Sequence, residues 1–140
     1  MRSDYLNENS GVSGGYKVKV VTLAAEDKTL TEADSGKVFI VSQSAAFDIT
    51  LPATSVAGFT AKFIVGTAGA NDVDIVAGTA DTISGIELGD TNTAITAASD
   101  KVTFDASNAV VGDWIEVVSD GSVLWVTHAA VADSGAEHSG

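Results

Sequence analysis

Strict two-residue alternation, in short runs each closed by a turn residue, restricts the fold of this chain more than any other feature. In Phe47–Leu51 the apolar residues Phe47, Ile49 and Leu51 fall on one side of an extended chain, with Asp48 and Thr50 on the other. Pro52 then ends the run, because it has no amide hydrogen to give a ladder. Phe59, Ala61, Phe63 and Val65 likewise oppose Thr60 and Lys62, Val73 and Ile75 oppose Asp74, and Val102 and Phe104 oppose Lys101 and Thr103. A period of two is the period of a strand, so one face of each run belongs to a core. Gly, Asp, Asn and Ser separate the runs at intervals of about 8–12 residues, the spacing of an all-β sandwich or barrel.

Other segments extend the pattern. Trp114–Val118 and Val123–His128 flank Asp120-Gly121, which supplies the positive-φ residues of a tight antiparallel connection. Val18 and Val20 alternate with Lys17 and Lys19 in a further candidate strand, whose lysines discourage edge-to-edge pairing. Leu23–Asp34 and Thr91–Asp100 are rich in Thr, Asp and Ser and read as turns or single helical turns. No exact repeat recurs at a solenoid period. The expected fold is all-β: a single antiparallel β-sandwich or jelly-roll-like barrel over residues 16–132. An extended N-terminal arm over 1–15 precedes it, and a flexible C-terminal tail over 133–140 follows it. Ile64, Val76, Ile115 and Leu124 read as apolar residues on the second faces of strands, and sheets apolar on both sides are usually covered on both.

Charge and composition narrow the partners. The 140 residues include 19 acidic and 7 basic side chains, a formal net charge of -12, with no Lys or Arg after Lys101. Such a chain repels phosphate backbones and anionic lipid, so neither nucleic acid nor membrane is an expected partner. Without cysteine there is no disulfide framework and no thiolate metal site. The opening MRSDYLNENSGVSGG has no apolar stretch of a signal peptide, and no run of about twenty apolar residues spans a bilayer. The expectation is a protein made and assembled in a cytoplasm.

The search for chemistry yields little. His128 and His138 are the two imidazoles, and no serine sits in a nucleophile elbow. The glycine-containing stretches Gly66–Asp72 and Val76–Gly85 lack the Lys-Ser/Thr of a phosphate loop. Asn71, Asp72 and Asp74 lie close in sequence, but no calcium-loop pattern organises them, and turn-forming Asp is the simpler reading. Glu116 has no second carboxylate at a spacing that suggests glycoside hydrolysis. Trp114 and Trp125 lie on one hairpin, where they serve a core, an interface or a sugar-stacking platform. No catalytic residue, metal ligand or cofactor is therefore expected, and the chain does not read as an enzyme.

One resemblance gives a role to a chain without a catalytic signature. Leu30, Thr31, Asp34, Ser35, Gly36, Lys37 and Phe39 form an LT-x-x-DSGK-x-F opening. Thr50-Leu51-Pro52 ends a strand, and Gly58 precedes an aromatic strand with Phe63 and Val65. Gly112, Asp113, Glu116, Val118, Ser119, Asp120 and Gly121 form the closing GD-x-x-E-x-VSDG. This order resembles a group of small tailed-bacteriophage virion proteins and covers about Thr22 to His128. Its members are similar to capsid decoration (cement) proteins, which sit as trimers on the outside of a shell, and to β-modules of tail fibres. The resemblance implies a protein of the outer capsid surface that binds the major capsid protein at capsomer junctions, associates as a homotrimer and stabilises the shell. Its alternative is a receptor- or glycan-binding module of a virion appendage. The residues it assigns to capsid or subunit contacts are Tyr5, Leu6, Val12 and Tyr16 in the arm, with Trp114 and Trp125 on the hairpin.

Overall fold

The computed structural model describes residues 17–53, 56–78, 81–88, 94–122, 124–130 and 136–139. Strands β1 (Val20–Ala24), β3 (Val38–Ser42), β5 (Thr60–Thr67), β7 (Thr82–Leu88), β8 (Ala94–Ser99), β10 (Trp114–Ser119) and β11 (Leu124–Ala130) make a seven-stranded sheet. Its order is β1-β3-β5-β10-β11-β7-β8. Strands β2 (Lys28–Thr29), β4 (Phe47–Thr50), β6 (Val73–Val76), β9 (Lys101–Phe104) and β12 (Ala136–Ser139) make a five-stranded sheet of order β12-β9-β6-β4-β2.

The all-β class is as expected, but the sheets are mixed rather than purely antiparallel. The first six strands alternate between the two sheets, so β1, β3 and β5 run parallel in one, and β2, β4 and β6 run parallel in the other. Parallel neighbours need a long crossover, commonly a helix. Here the crossover from one strand to its parallel neighbour is a strand of the opposite sheet. The result is a flattened coil whose rungs step unevenly: Val20 pairs with Val38 and Val38 with Lys62, while Lys28 pairs with Ile49 and Phe47 with Val73. Unequal rungs explain why no sequence repeat marks the winding.

Strands β10 and β11 form the expected hairpin and insert antiparallel beside β5, while β7 runs parallel to β11. Its turn differs from the expected one, because Gly121, at φ 84°, has a positive φ and Asp120 does not. Asp120 instead accepts the Ser122 amide at 2.7 Å, and Ser119 Oγ accepts the Gly121 amide at 3.2 Å, an Asx-type closure of a wider loop. Leu23–Asp34 does contain a single 3-10 turn, Glu32–Asp34, alongside β2. Thr91–Asp100, by contrast, contains strand β8. Four of the residues expected as a tail, Ala136–Ser139, pair antiparallel with β9 as β12. Tertiary pairing thus overrides weak local preference at both places.

The inward faces of the two sheets contribute to one core. Phe39, Val41, Ala61, Phe63, Val65, Ile115 and Val117 come from the larger sheet, and Phe47, Ile49, Val73, Ile75, Val102 and Phe104 from the smaller. Every alternating residue assigned to a core face in Phe47–Leu51, Phe59–Val65, Val73–Ile75 and Val102–Phe104 is buried. Ile115 corrects the expectation for second faces: it is fully buried in the core, whereas Ile64 and Val76 lie half-buried on outer faces.

Candidate functional site

The polar side chains with resolved partners are mostly bound into the frame. Asp34 accepts the Thr31 amide at 2.9 Å and pairs with Lys37 at 2.6 Å, bracing the turn that leads into β3. Burial works against its charge, but the Lys37 hydrogen bond and the Thr31 amide outweigh that and hold the Asp34 pKa below the usual value. Its stabilisation is therefore present at neutral pH and is lost as pH falls through that lowered pKa. Asp113 is buried, and its carboxylate accepts the Val110 amide at 2.9 Å.

On the outer face of the smaller sheet, Asp74 accepts Lys101 at 2.7 Å and the Thr103 hydroxyl at 2.6 Å. Its register neighbour Asp48 receives no such cation, and Asp27 accepts the Asp48 amide at 2.9 Å. Partial burial, then the nearby Asp74 and Asp27 carboxylates, raise the Asp48 pKa, with Lys101 offsetting part of the effect. A raised acid pKa favours the protonated folded form, so this contribution is fully present at low pH and is lost as pH rises through the folded value. Asp48→Asn is accordingly expected to raise the melting midpoint at neutral pH. Because the site is open to solvent, the gain is small, a few tenths of a kcal/mol. It should vanish below the carboxylate range in a pH series of thermal melts, and a gain independent of pH would contradict an origin in carboxylate repulsion and burial. Among the described residues, no group of three or more His, Asp or Glu side chains is placed to hold a metal ion.

Among the described residues, two surfaces present groups not used by the frame. The first is the outer face of the seven-stranded sheet. Val20, Val38, Lys62, Glu116, His128 and Ile86 form one cross-strand row by register. Lys62 Nζ stands 4.5 Å from the centre of the Trp114 ring, a cation–π contact on this outer face. A shallow hollow of about 200 Å³ is lined by Val18, Gly36, Val38, Thr60, Lys62 and Glu116, among others. Gly36, at φ 79°, lines it at the turn into β3, where the positive φ and not lack of space favours glycine.

The second surface is the tip of the β9–β10 loop. Val110 and Val111 are 44% and 65% exposed, held out by the Asp113 brace and by Gly112, whose amide donates to the Val65 carbonyl at 2.9 Å. In the sequence these two valines look like any other core pair, and the Gly112-Asp113 that follows them is the local sign of a turn.

Of the residues expected at contacts, Tyr5, Leu6, Val12 and Tyr16 lie outside the described residues. Trp114 is half-buried on the outer sheet face. Trp125 is opposite Ser119, whereas Trp114 is opposite Ala130. The two positions are thus separated by about 17 Å along the hairpin at the usual strand rise, too far apart for a single sugar platform. No protein-family model matches this chain, and no curated protein matches it.

Proposed function

We propose that the protein is a non-enzymatic structural module of the capsid-decoration type, binding the outer surface of an assembled shell through its rigid frame. The observation that carries this reading is the β9–β10 tip, where two valines are displayed to solvent on a loop braced from below. Exposed apolar side chains at a fixed loop tip suit docking into a crevice between subunits of another protein. The motif positions of the virion-protein resemblance agree with it, since they fall at corners of the frame: the Asp34–Lys37 turn, the end of β4, the Gly112-Asp113 turn and the β10–β11 hairpin. A protein that binds only the assembled lattice stabilises it by mass action and needs no reaction centre.

The test is co-sedimentation with expanded, undecorated capsids of the encoding virus, counted as copies per shell. Saturable binding is the expected result, and no binding by folded protein would refute the decoration role. Val110→Ser with Val111→Ser should leave the melting curve nearly unchanged, because both residues are exposed. It should weaken capsid binding by about thirtyfold, the equivalent of some 2 kcal/mol of apolar burial. Undiminished binding by that variant would remove the tip from the contact.

A further inference from the structure

We propose that the outer face of the seven-stranded sheet is a twofold interface between two copies of this chain. The inference is independent of the decoration reading and concerns a different surface from the β9–β10 tip.

Charge self-complementarity carries it. Lys62 on β5 and Glu116 on β10 are direct register partners at the middle of the sheet. Yet no ion pair joins them, and Lys62 lies over Trp114 instead. Both are half-buried on a face that also presents exposed Val18, Val20, Val118 and Ile86, with Thr22 and Thr60 on it and His128 next to Glu116 in the register row. An opposite-sign pair set centrally on such a face is an arrangement that a second copy can satisfy twice.

The geometry selects one symmetry. Consider a twofold axis lying between two facing sheets, parallel to the strands and midway between β5 and β10. Rotation about it exchanges β5 with β10 and keeps every register row at its own level. Lys62 of one copy then stands over Glu116 of the other, and the reverse pair forms at the same time, as an isologous interface requires. Ile64 faces Trp114, Thr60 faces Val118, and Val20 faces Ile86. An axis across the strands would instead set Lys62 over Lys62.

The area is adequate. The axis pairs six of the seven strands, from β1 to β7 in sheet order, and leaves β8 outside; at the usual spacing and rise, with five residues per strand, they give a face of about 29 by 17 Å. A corrugated face of that footprint lies near the lower end of the area range for specific complexes. Sheets pack face to face about 10 Å apart, close enough for these side chains to interdigitate. A homotrimer would need two different patches meeting head to tail, whereas this face is complementary to itself.

The experiment is sedimentation velocity with light scattering on the full chain at moderate salt, which screens the repulsion between copies of net charge -12. The expected mass is twice the 14.1 kDa of one chain. Lys62→Glu and Glu116→Lys should each be monomeric, with at least about hundredfold weaker association, because like charges then face each other. Mixing the two variants should restore dimers, since each charge then meets its opposite, and the double variant should dimerise alone. Circular dichroism of each single variant, together with recovery in the mixture, separates lost association from lost folding. A monomeric or trimeric wild type, single variants that remain dimeric, or a mixture that stays monomeric would each overturn the proposal.

Discussion

Replacing Gln43 with Met is expected to destabilise the protein by about 3–5 kcal/mol, the range for breaking a buried hydrogen-bond network. Gln43 is fully buried at the end of β3. Its Nε2 donates to the carbonyls of Asn71 at 3.0 Å, Phe104 at 3.1 Å and Asp105 at 3.3 Å, and its Oε1 accepts the Gly69 amide at 3.3 Å. Asn71 returns the contact, donating Nδ2 to the Gln43 carbonyl at 3.0 Å. One side chain thus joins the end of a strand in the larger sheet to the β5–β6 loop and to the end of β9 in the smaller. Met keeps most of the volume and removes every polar contact, so several backbone groups would lose their partner, each costing about 1–3 kcal/mol if left unsatisfied. Gln43→Glu should be at least as damaging at neutral pH, because it sets a carboxylate against three carbonyl oxygens. Gly69 belongs to the same clamp, since a methyl there would run into the Gln43 carbonyl oxygen. Urea unfolding measures the effect, and a loss below about 1 kcal/mol for Gln43→Met would show that the clamp is not needed for stability.

The second large effect is expected at Phe63. This residue is fully buried on β5, which lies between β3 and β10, and its ring stacks on Phe39 with centroids 5.4 Å apart and planes at 19°. Phe63→Ala removes a large apolar side chain where the surrounding strands cannot collapse, at a cost of about 3–5 kcal/mol. Domains of this kind carry about 5–15 kcal/mol in total, so the variant should unfold at a much lower urea midpoint or fail to accumulate folded. Phe63→Leu, retaining most of the volume, loses less and provides a measurable counterpart. A double-mutant cycle with Phe39→Leu should return a coupling of about 0.5–1.5 kcal/mol for the ring pair. Additive losses would mean that the rings contribute by burial alone.

The candidate surfaces were poorly legible in the sequence, for different reasons. The face of Trp114 was not legible: Ile115 reads from the sequence as a second-face residue, and only its burial in the core turns Trp114 to the outer face. The pairing of Lys62 with Glu116 has no local signal, because the two residues lie on strands far apart in the chain and meet only through the β5–β10 register. Val110 and Val111 were hidden for the opposite reason: apolar residues in a row suggest a core, and only the loop's path exposes them.

Alternation alone determined which side is buried in β4, β5, β6 and β9. In Phe47–Leu51, Phe59–Val65 and Val73–Ile75 a side chain's face is set by its own backbone, with a period of two that needs no partner. It also located the hairpin of β10 and β11, since that connection is local in sequence. The sheet each strand joins, and in which direction, was decided by tertiary structure. Crossing between sheets made β1, β3 and β5 parallel where hairpin logic expected antiparallel neighbours. Pairing with β7 and β9 turned Ala94–Ser99 and Ala136–Ser139 into strands despite their weak local preference. Gln43, a polar residue ending an apolar run, became part of the core because its partners lie 26 to 62 positions away. Strand direction and burial of such a group depend on long-range hydrogen bonds, and those exist only once the two sheets have closed on each other.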